Sequence, residues 1–560
     1  MRDIGSVPNL VVEAQVLAFA LFISGALAVA GLESSAPPLA GGLLADKAYA
    51  LIDGCQGLAV QAGEKLTMAK LSDGLDQRFV LRQNPAGGVQ FEAVLRPVRL
   101  HSGPNGLGLS AGGEVFGLQA RGIGQFDILG QDGAPIQAGN CQRPWRIEAF
   151  PVISPTKRVV WVDRRVRQAG DGTSERPHVS IQAAITRARP GDFIKVAPGI
   201  YHEHLLFTRS TSGTQEAWIV LAASEPLKTL VVGKSQEPVI DLARAHHIEI
   251  NGLALTNSGT GDCVYGRSGS HHRVIGLYVS GCGGGGIGLT GDFETIEGNV
   301  TNRNALRSIW QNNGISIWQP KAAPLKRGEM PQTRLFVRRN ASFLNDNQVL
   351  PQGSSIVTDG NGIILDDGRN TQGGSKAGPY PHRALVEHNL VYGNGGSGVR
   401  VFRTDRVTLR FNTSYGNDFS KLARGSGQAE IGSNECFDCL WTGNLAVKPL
   451  VSGRQRIVFD YNTRSVRYVD NVFFDPRPGI SLAHREGPSA AKLDLSRNIT
   501  DAQPVFANPA LDETASFVLV GWEGRVPRDM GQIGAMDALI PSLLRPHVLK
   551  EFDESSETPH

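Results

Sequence analysis

An excess of charge of either sign is missing from this sequence: 56 Lys and Arg face 53 Asp and Glu, a formal +3 over 560 residues. That balance offers no basic surplus to track a phosphate backbone, so a nucleic-acid partner is not expected. Methionine is scarce at five residues, and sustained helical periodicity is missing from most of the chain, which argues against a helical bundle. Long apolar runs are missing too, apart from "VLAFALFISGALAVAGL", Val16 to Leu32. This run is short for a membrane span and suits a secretory h-region. Ala28-Val29-Ala30 offers a small-x-small cleavage pattern, although Arg2 is opposed by Asp3 and Glu13 in the n-region. Residues 1–30 therefore read as a signal peptide, with an uncleaved anchor as the alternative, and 31–46 as a linker. The body is expected to be periplasmic or secreted, monomeric and not stably embedded in a membrane.

Cysteine is sparse but paired in sequence. Cys55 and Cys141 bracket the N-terminal region, Cys263 and Cys282 lie close together, and "CFDC" holds Cys436 and Cys439. An even, locally clustered set in an exported chain is compatible with three disulfides. A zinc site is the weaker reading, because the one CxxC has neither a second pair nor a spaced His pair.

Glycine is abundant, with 67 residues, as in β-rich repeat folds with many tight turns. From about Asp163 an asparagine recurs before a short β-prone run, at Asn299, Asn340, Asn389, Asn412, Asn444, Asn471 and Asn498. The shorter intervals fit one repeat and the longer ones a repeat with a loop insertion, which indicates a stacked solenoid. Asparagines stacked at a bend can hydrogen-bond along the column. Between the bends lie "GIGLTGD", "GISIWQP", "GIILDDG", "GVRVFRT" and "AEIGSNE", with Ile287, Ile315, Ile363 and Val399 inward by alternation. The expected outward rows are Gly288-Ser316-Ile364-Arg400-Glu430 and Thr290-Trp318-Asp366-Phe402-Gly432. An amphipathic helix of about three turns is expected from Ser180, with Ile181, Ala184, Ile185 and Ala188 on one face, covering the exposed strand edges at the end of the coil.

This helix–strand entry and the Asn-marked coils resemble the right-handed parallel β-helix proteins of the pectate lyase-like superfamily. The fold class implied is all-β, a solenoid over residues 159–540 with an N-terminal capping helix. Residues 47–150, with "QRFVLR", "GQFDIL" and "RPWRIE", resemble the Gln-x-aromatic repeats of ricin-type β-trefoil lectins; a small β domain is expected there, and the resemblance implies carbohydrate binding. Residues 541–560 read as a disordered tail.

The resemblance implies an acidic polysaccharide as partner and β-elimination as reaction. In that chemistry a cation neutralises the uronate carboxylate while a base removes the adjacent proton. The Asp cluster of "TDGNGIILDDGRN" resembles those of polysaccharide lyase family 9. On that likeness Asp359, Asp366, Asp367 and Glu430 become ligands for Ca2+, which wants about six to eight oxygens. A turn with solvated aspartates and a metal-free carboxylate pair are the alternatives. The preceding coil offers Ser316, Trp318 and Gln319 where a further Asp belongs, and no lysine base is evident. Arg400, Arg403 and His388 are the catalytic candidates, Lys421 a further base, and Trp310, Trp318, Phe402 and Asn361 the substrate-binding ones. Glycoside hydrolysis, uronate epimerisation and a non-catalytic carbohydrate-binding β-helix are the rival functions.

Overall fold

The computed structural model divides the chain into two units, Met1–Thr156 and Lys157–His560. It describes residues 158–524, apart from breaks at 226, 423–426, 451–455, 479–481, 487–496 and 513–514, and ten strands within 48–149. The expected signal peptide, linker, C-terminal tail and Cys55–Cys141 pair lie outside the described residues. Within the first unit the ten strands form one antiparallel sheet, in which Trp145 pairs with Phe126.

The second unit is a parallel β-helix. Three parallel sheets of 11, 10 and 10 strands run along it, and successive strands visit the first, second and third sheet in turn. Inward residues of all three sheets form one continuous core, from Val160 and Ile194 through Ile287, Ile315, Ile363 and Val399 to Val458 and Phe473. The parallel ladder reaches Ala483–Glu486. Beyond it the antiparallel pair Ala502–Asn508 and Ser516–Gly524 lays Phe517 against Tyr392 and Tyr415 of the second sheet. The entry helix, α1, is Ile181–Thr186, about half the length expected. Its Ile181, Ala184 and Ile185 are buried. Its N-terminus is closed by the Ser180 hydroxyl and by Glu203, whose carboxylate accepts from Ile181 N at 3.0 Å and Gln182 N at 2.8 Å.

The predicted asparagine column is present. From Asn299 through Asn340, Asn389, Asn412, Asn444 and Asn471 to Asn498, each backbone N and Nδ2 donates to the Oδ1 of the next, at 2.8–3.1 Å. The residue before each bend from Asn299 to Asn471 is left-handed, including Arg339, His388, Phe411 and Asp470, with φ of 55–57°. Asn412→Ala would strip the acceptor from two buried donors of Asn389, each worth about 1–3 kcal/mol. Its expected loss of about 2–5 kcal/mol is read from urea unfolding; a loss below about 1 kcal/mol would remove the column as a source of stability.

A second column, Asn304, Asn345, Asn394 and Asn417, follows the same geometry at 2.8–3.1 Å. Both locally paired cysteine sets are disulfides, Cys263–Cys282 and Cys436–Cys439, as suits an oxidising compartment. Among the described residues no helix is long and apolar enough to cross a membrane.

Candidate functional site

Seven strands of the third sheet build the surface that matters: β1 (Val264–Gly266), β2 (Ile287–Leu289), β3 (Ile315–Trp318), β4 (Ile363–Asp366), β5 (Val399–Phe402), β6 (Ile431–Asn434) and β7 (Val458–Tyr461). Alternation sends every second side chain outward. One outward row runs Tyr265, Gly288, Ser316, Ile364, Arg400, Gly432, Phe459. The other runs Trp318, Asp366, Phe402, Asn434, Tyr461. The first expected row holds from β2 to β5 and the second from β3 to β5; both fail at β6, where Gly432 rather than Glu430 stands beside Arg400 and Asn434 rather than Gly432 beside Phe402.

Glu430 is therefore corrected from an outward metal ligand to an inward group. It is fully buried, accepts from Asn417 N at 2.8 Å and Nδ2 at 2.7 Å, and pairs with Lys448 at 3.2 Å. It ends the second asparagine column, which required a residue of this length pointing into the coil. Asp367 is corrected too. The strand stops at Asp366, Asp367 turns left-handed at φ 47°, and its buried carboxylate accepts four hydrogen bonds from Gln319, Thr371 and Gln372. Burial acts to raise its pKa, but these donors outweigh it and leave it lowered. It anchors a loop. His388 belongs to another corner: it precedes Asn389 at the bend between the first and second sheets and stacks on Phe411 at 5.3 Å. Asn361 is also spent internally, its Nδ2 donating to Asn313 at 2.7 Å and Asp359 at 3.0 Å and its Oδ1 accepting from Ser397 N at 2.7 Å. It positions Asp359. Lys421 is exposed on a loop.

What the fold brings together is Asp359, Asp366 and Arg400. Arg400 is 6% exposed, donates from Nη1 to Thr358 O at 3.0 Å and from Nε to Asn434 Oδ1 at 3.3 Å, and lies 5.5 Å from the Phe402 ring centre. Burial lowers its pKa, opposed by the negative field of Asp359, Asp366 and Asp418. Burial, then the neighbouring Asp359, push the Asp366 carboxyl up to about 8, against the pull of Arg400. Burial raises Asp359 to about 6, against Arg400 and the Asn361 amide. Near neutral pH the pair thus shares one proton, held more firmly by Asp366 than by Asp359, with apparent values that belong to the pair. Arg403 also lies over the Phe402 ring, 5.0 Å from its centre, and pairs with Glu435 at 3.0 Å. Trp318 is half-buried beside Asp366. Trp310 is 81% exposed, one residue from Gln311, whose Oε1 accepts from Thr358 N at 2.6 Å.

Sequence reasoning missed Asn434, Gln428, Asp418 and the Thr358 carbonyl, to which Gln428 also donates. Only Asn434 had a usable signal: aligning Ile431, not Ala429, with the inward valines puts it in the Asp366 row.

The residues do not fit a calcium ion. Of the four expected ligands Asp367 and Glu430 are committed elsewhere, and Arg400 already supplies the positive neighbour of the other two, Asp359 and Asp366, and of Asp418. Among the described residues no group of three or more His, Cys, Asp and Glu side chains converges as metal ligands do.

No protein-family model and no curated protein matches the chain. Solved structures similar to it include pectate lyase Pel9A, at 15% identity and TM-score 0.35 over 62% of this chain and 75% of that one. The complex of XylC with xylose matches at 9% identity and TM-score 0.42 over 59% and 70%. The GH136 lacto-N-biosidase from Eubacterium ramulus matches at 17% identity and TM-score 0.37 over 57% and 56%.

Proposed function

We propose that the protein is an exported polysaccharide-active enzyme that cleaves a uronate-containing chain by β-elimination at Asp359, Asp366 and Arg400. The observation that carries this reading is a buried guanidinium in the shared field of two carboxyls whose affinities for a proton are pushed apart. Arg400 supplies fixed positive charge for the uronate carboxylate as charge develops on it. Asp359 takes the proton from the carbon beside that carboxylate. Asp366 gives its proton to the departing glycosidic oxygen as the carbon–oxygen bond breaks and the carbon–carbon double bond forms. Two acids with separated affinities for a proton also suit hydrolysis, in which Asp359 would activate water instead. Arg400 favours elimination, because a fixed cation at the site suits a substrate that carries a carboxylate better than a neutral sugar.

The test is a panel of polyuronates assayed for unsaturated products by ultraviolet absorbance and for reducing ends. Elimination gives both signals; hydrolysis gives reducing ends alone, and no product from any polymer sinks both readings. Arg400→Lys keeps the charge but loses the planar fork, so turnover should fall about 10²–10³-fold; near-normal turnover would remove Arg400 from the chemistry. Turnover should be bell-shaped in pH, its acid limb near 6 from ionising Asp359 and its alkaline limb near 8 from deprotonating Asp366. A flat profile across that window contradicts the assignment.

A further inference from the structure

A second recess opens on the same face, N-terminal to Asp366. Its floor is Thr290, just past the end of β2, beside the bare Gly288 of that strand, while Tyr265 of β1 and Arg267 just past it stand on one side and Ser316 and Trp318 of β3 on the other. The dip follows from this size alternation. A pocket of about 360 Å³ results, lined by Tyr265, Arg267, Thr290, Trp318, Gln319 and Lys321. Beside Gly288 a side chain's first carbon would stand 3.4 Å from the Tyr265 ring, so the ring lies against the bare glycine backbone. The Arg267 guanidinium sits 5.4 Å from the centre of that ring. Arg267 and Lys321 are exposed, and no carboxylate lines the pocket.

The pocket is continuous with the reacting groups. Trp318 forms its wall and is also the register partner of Asp366 on the next coil. Gln319, in the same wall, donates to Asp367 at 2.8 Å. Strands in a sheet are about 4.8 Å apart, so Tyr265 on β1 stands roughly 14 Å from the Asp366 strand.

We propose that this recess is a subsite for an anionic sugar ring of the same polymer, stacked against Tyr265 and Trp318 with its carboxylate between Arg267 and Lys321. Flat, partly exposed rings suit the apolar face of a pyranose, and the two flexible cations suit a carboxylate that arrives hydrated. The subsite makes the protein a reader of chain length: a polymer that fills it is held beyond the scissile bond, whereas a disaccharide at Asp366 can touch Trp318 but does not extend the roughly 14 Å to Tyr265. This rests on the reading of the third sheet as the substrate face, but not on the reaction.

The test is gel retention of the full-length protein by polygalacturonate and by alginate, with dextran as neutral control, alongside kinetics on polymer and on the matching unsubstituted di-uronate. Arg267→Ala with Lys321→Ala should weaken retention by the polyuronate about tenfold, as two partly screened charges do. It should raise KM on the polymer with kcat and disaccharide turnover unchanged. Gly288→Val, whose added methyl groups would crowd the Tyr265 ring from an unstrained backbone position, should act the same way without altering charge. Polyuronate retention that neither variant changes, or retention by dextran equal to that by polyuronates, overturns the proposal. If polyuronate retention depends on these residues while no polymer is cleaved, the subsite stands and the elimination chemistry falls.

Discussion

Asp366→Asn is expected to abolish turnover while making the protein more stable at alkaline pH. The amide matches the neutral carboxyl in shape but cannot deliver a proton to a leaving oxygen, a contribution of about 10²–10⁴ to rate. The stability effect has a definite sign. Burial, with Asp359 next, raises Asp366 from an ordinary carboxyl value to about 8 in the fold, so the folded state holds a proton that the unfolded chain releases. Any group of this kind stabilises fully below its unfolded pKa, and the advantage is lost as pH rises through the folded value. For Asp366 that window runs from about 4 to about 8. Asparagine has no charge to force into the site, so the thermal midpoint of the variant should drop less than that of the parent between pH 6 and 9. Parallel midpoint curves would show that Asp366 ionises as an ordinary surface acid. Retained turnover would place the proton donor elsewhere.

The second large effect is expected at the buried end of the inner asparagine column. Lys448 and Glu430 are both fully buried, 3.2 Å apart, and Glu430 also accepts from the Ser414 hydroxyl at 2.8 Å. Removing one partner strands a charge in the core, so Lys448→Met should lose about 3–5 kcal/mol in urea unfolding. Adding Glu430→Gln should recover much of that loss, because the amide oxygen can still accept from Asn417 and carries no charge. A double variant as unstable as the sum of its single changes would show that shape, rather than paired charge, governs this site.

The sequence by itself determined the repeat and much of its wiring. Asparagine before each short strand, inward apolar alternation and glycine at the strand starts are local features. A solenoid repeats one local solution, so the bend column and the rows from Gly288 to Phe402 could be written down unaided. The inner column was equally visible, since Asn304, Asn345, Asn394 and Asn417 each follow a bend asparagine at the same distance. Only the tertiary structure decided which acids face out. Asp366 and Asp367 are neighbours in sequence, yet one left-handed residue at the strand end sends the second into a loop anchored by Gln319, 48 residues away. The Thr358 carbonyl likewise meets Gln428 across 70 residues. His388 reads as a base in sequence, but its place beside Asn389 puts it on a corner away from Arg400. Periodicity fixes what happens within one coil. Which groups meet across coils depends on how each loop insertion restores the stacking register, and that is settled by close packing and buried hydrogen bonds among residues far apart in the chain.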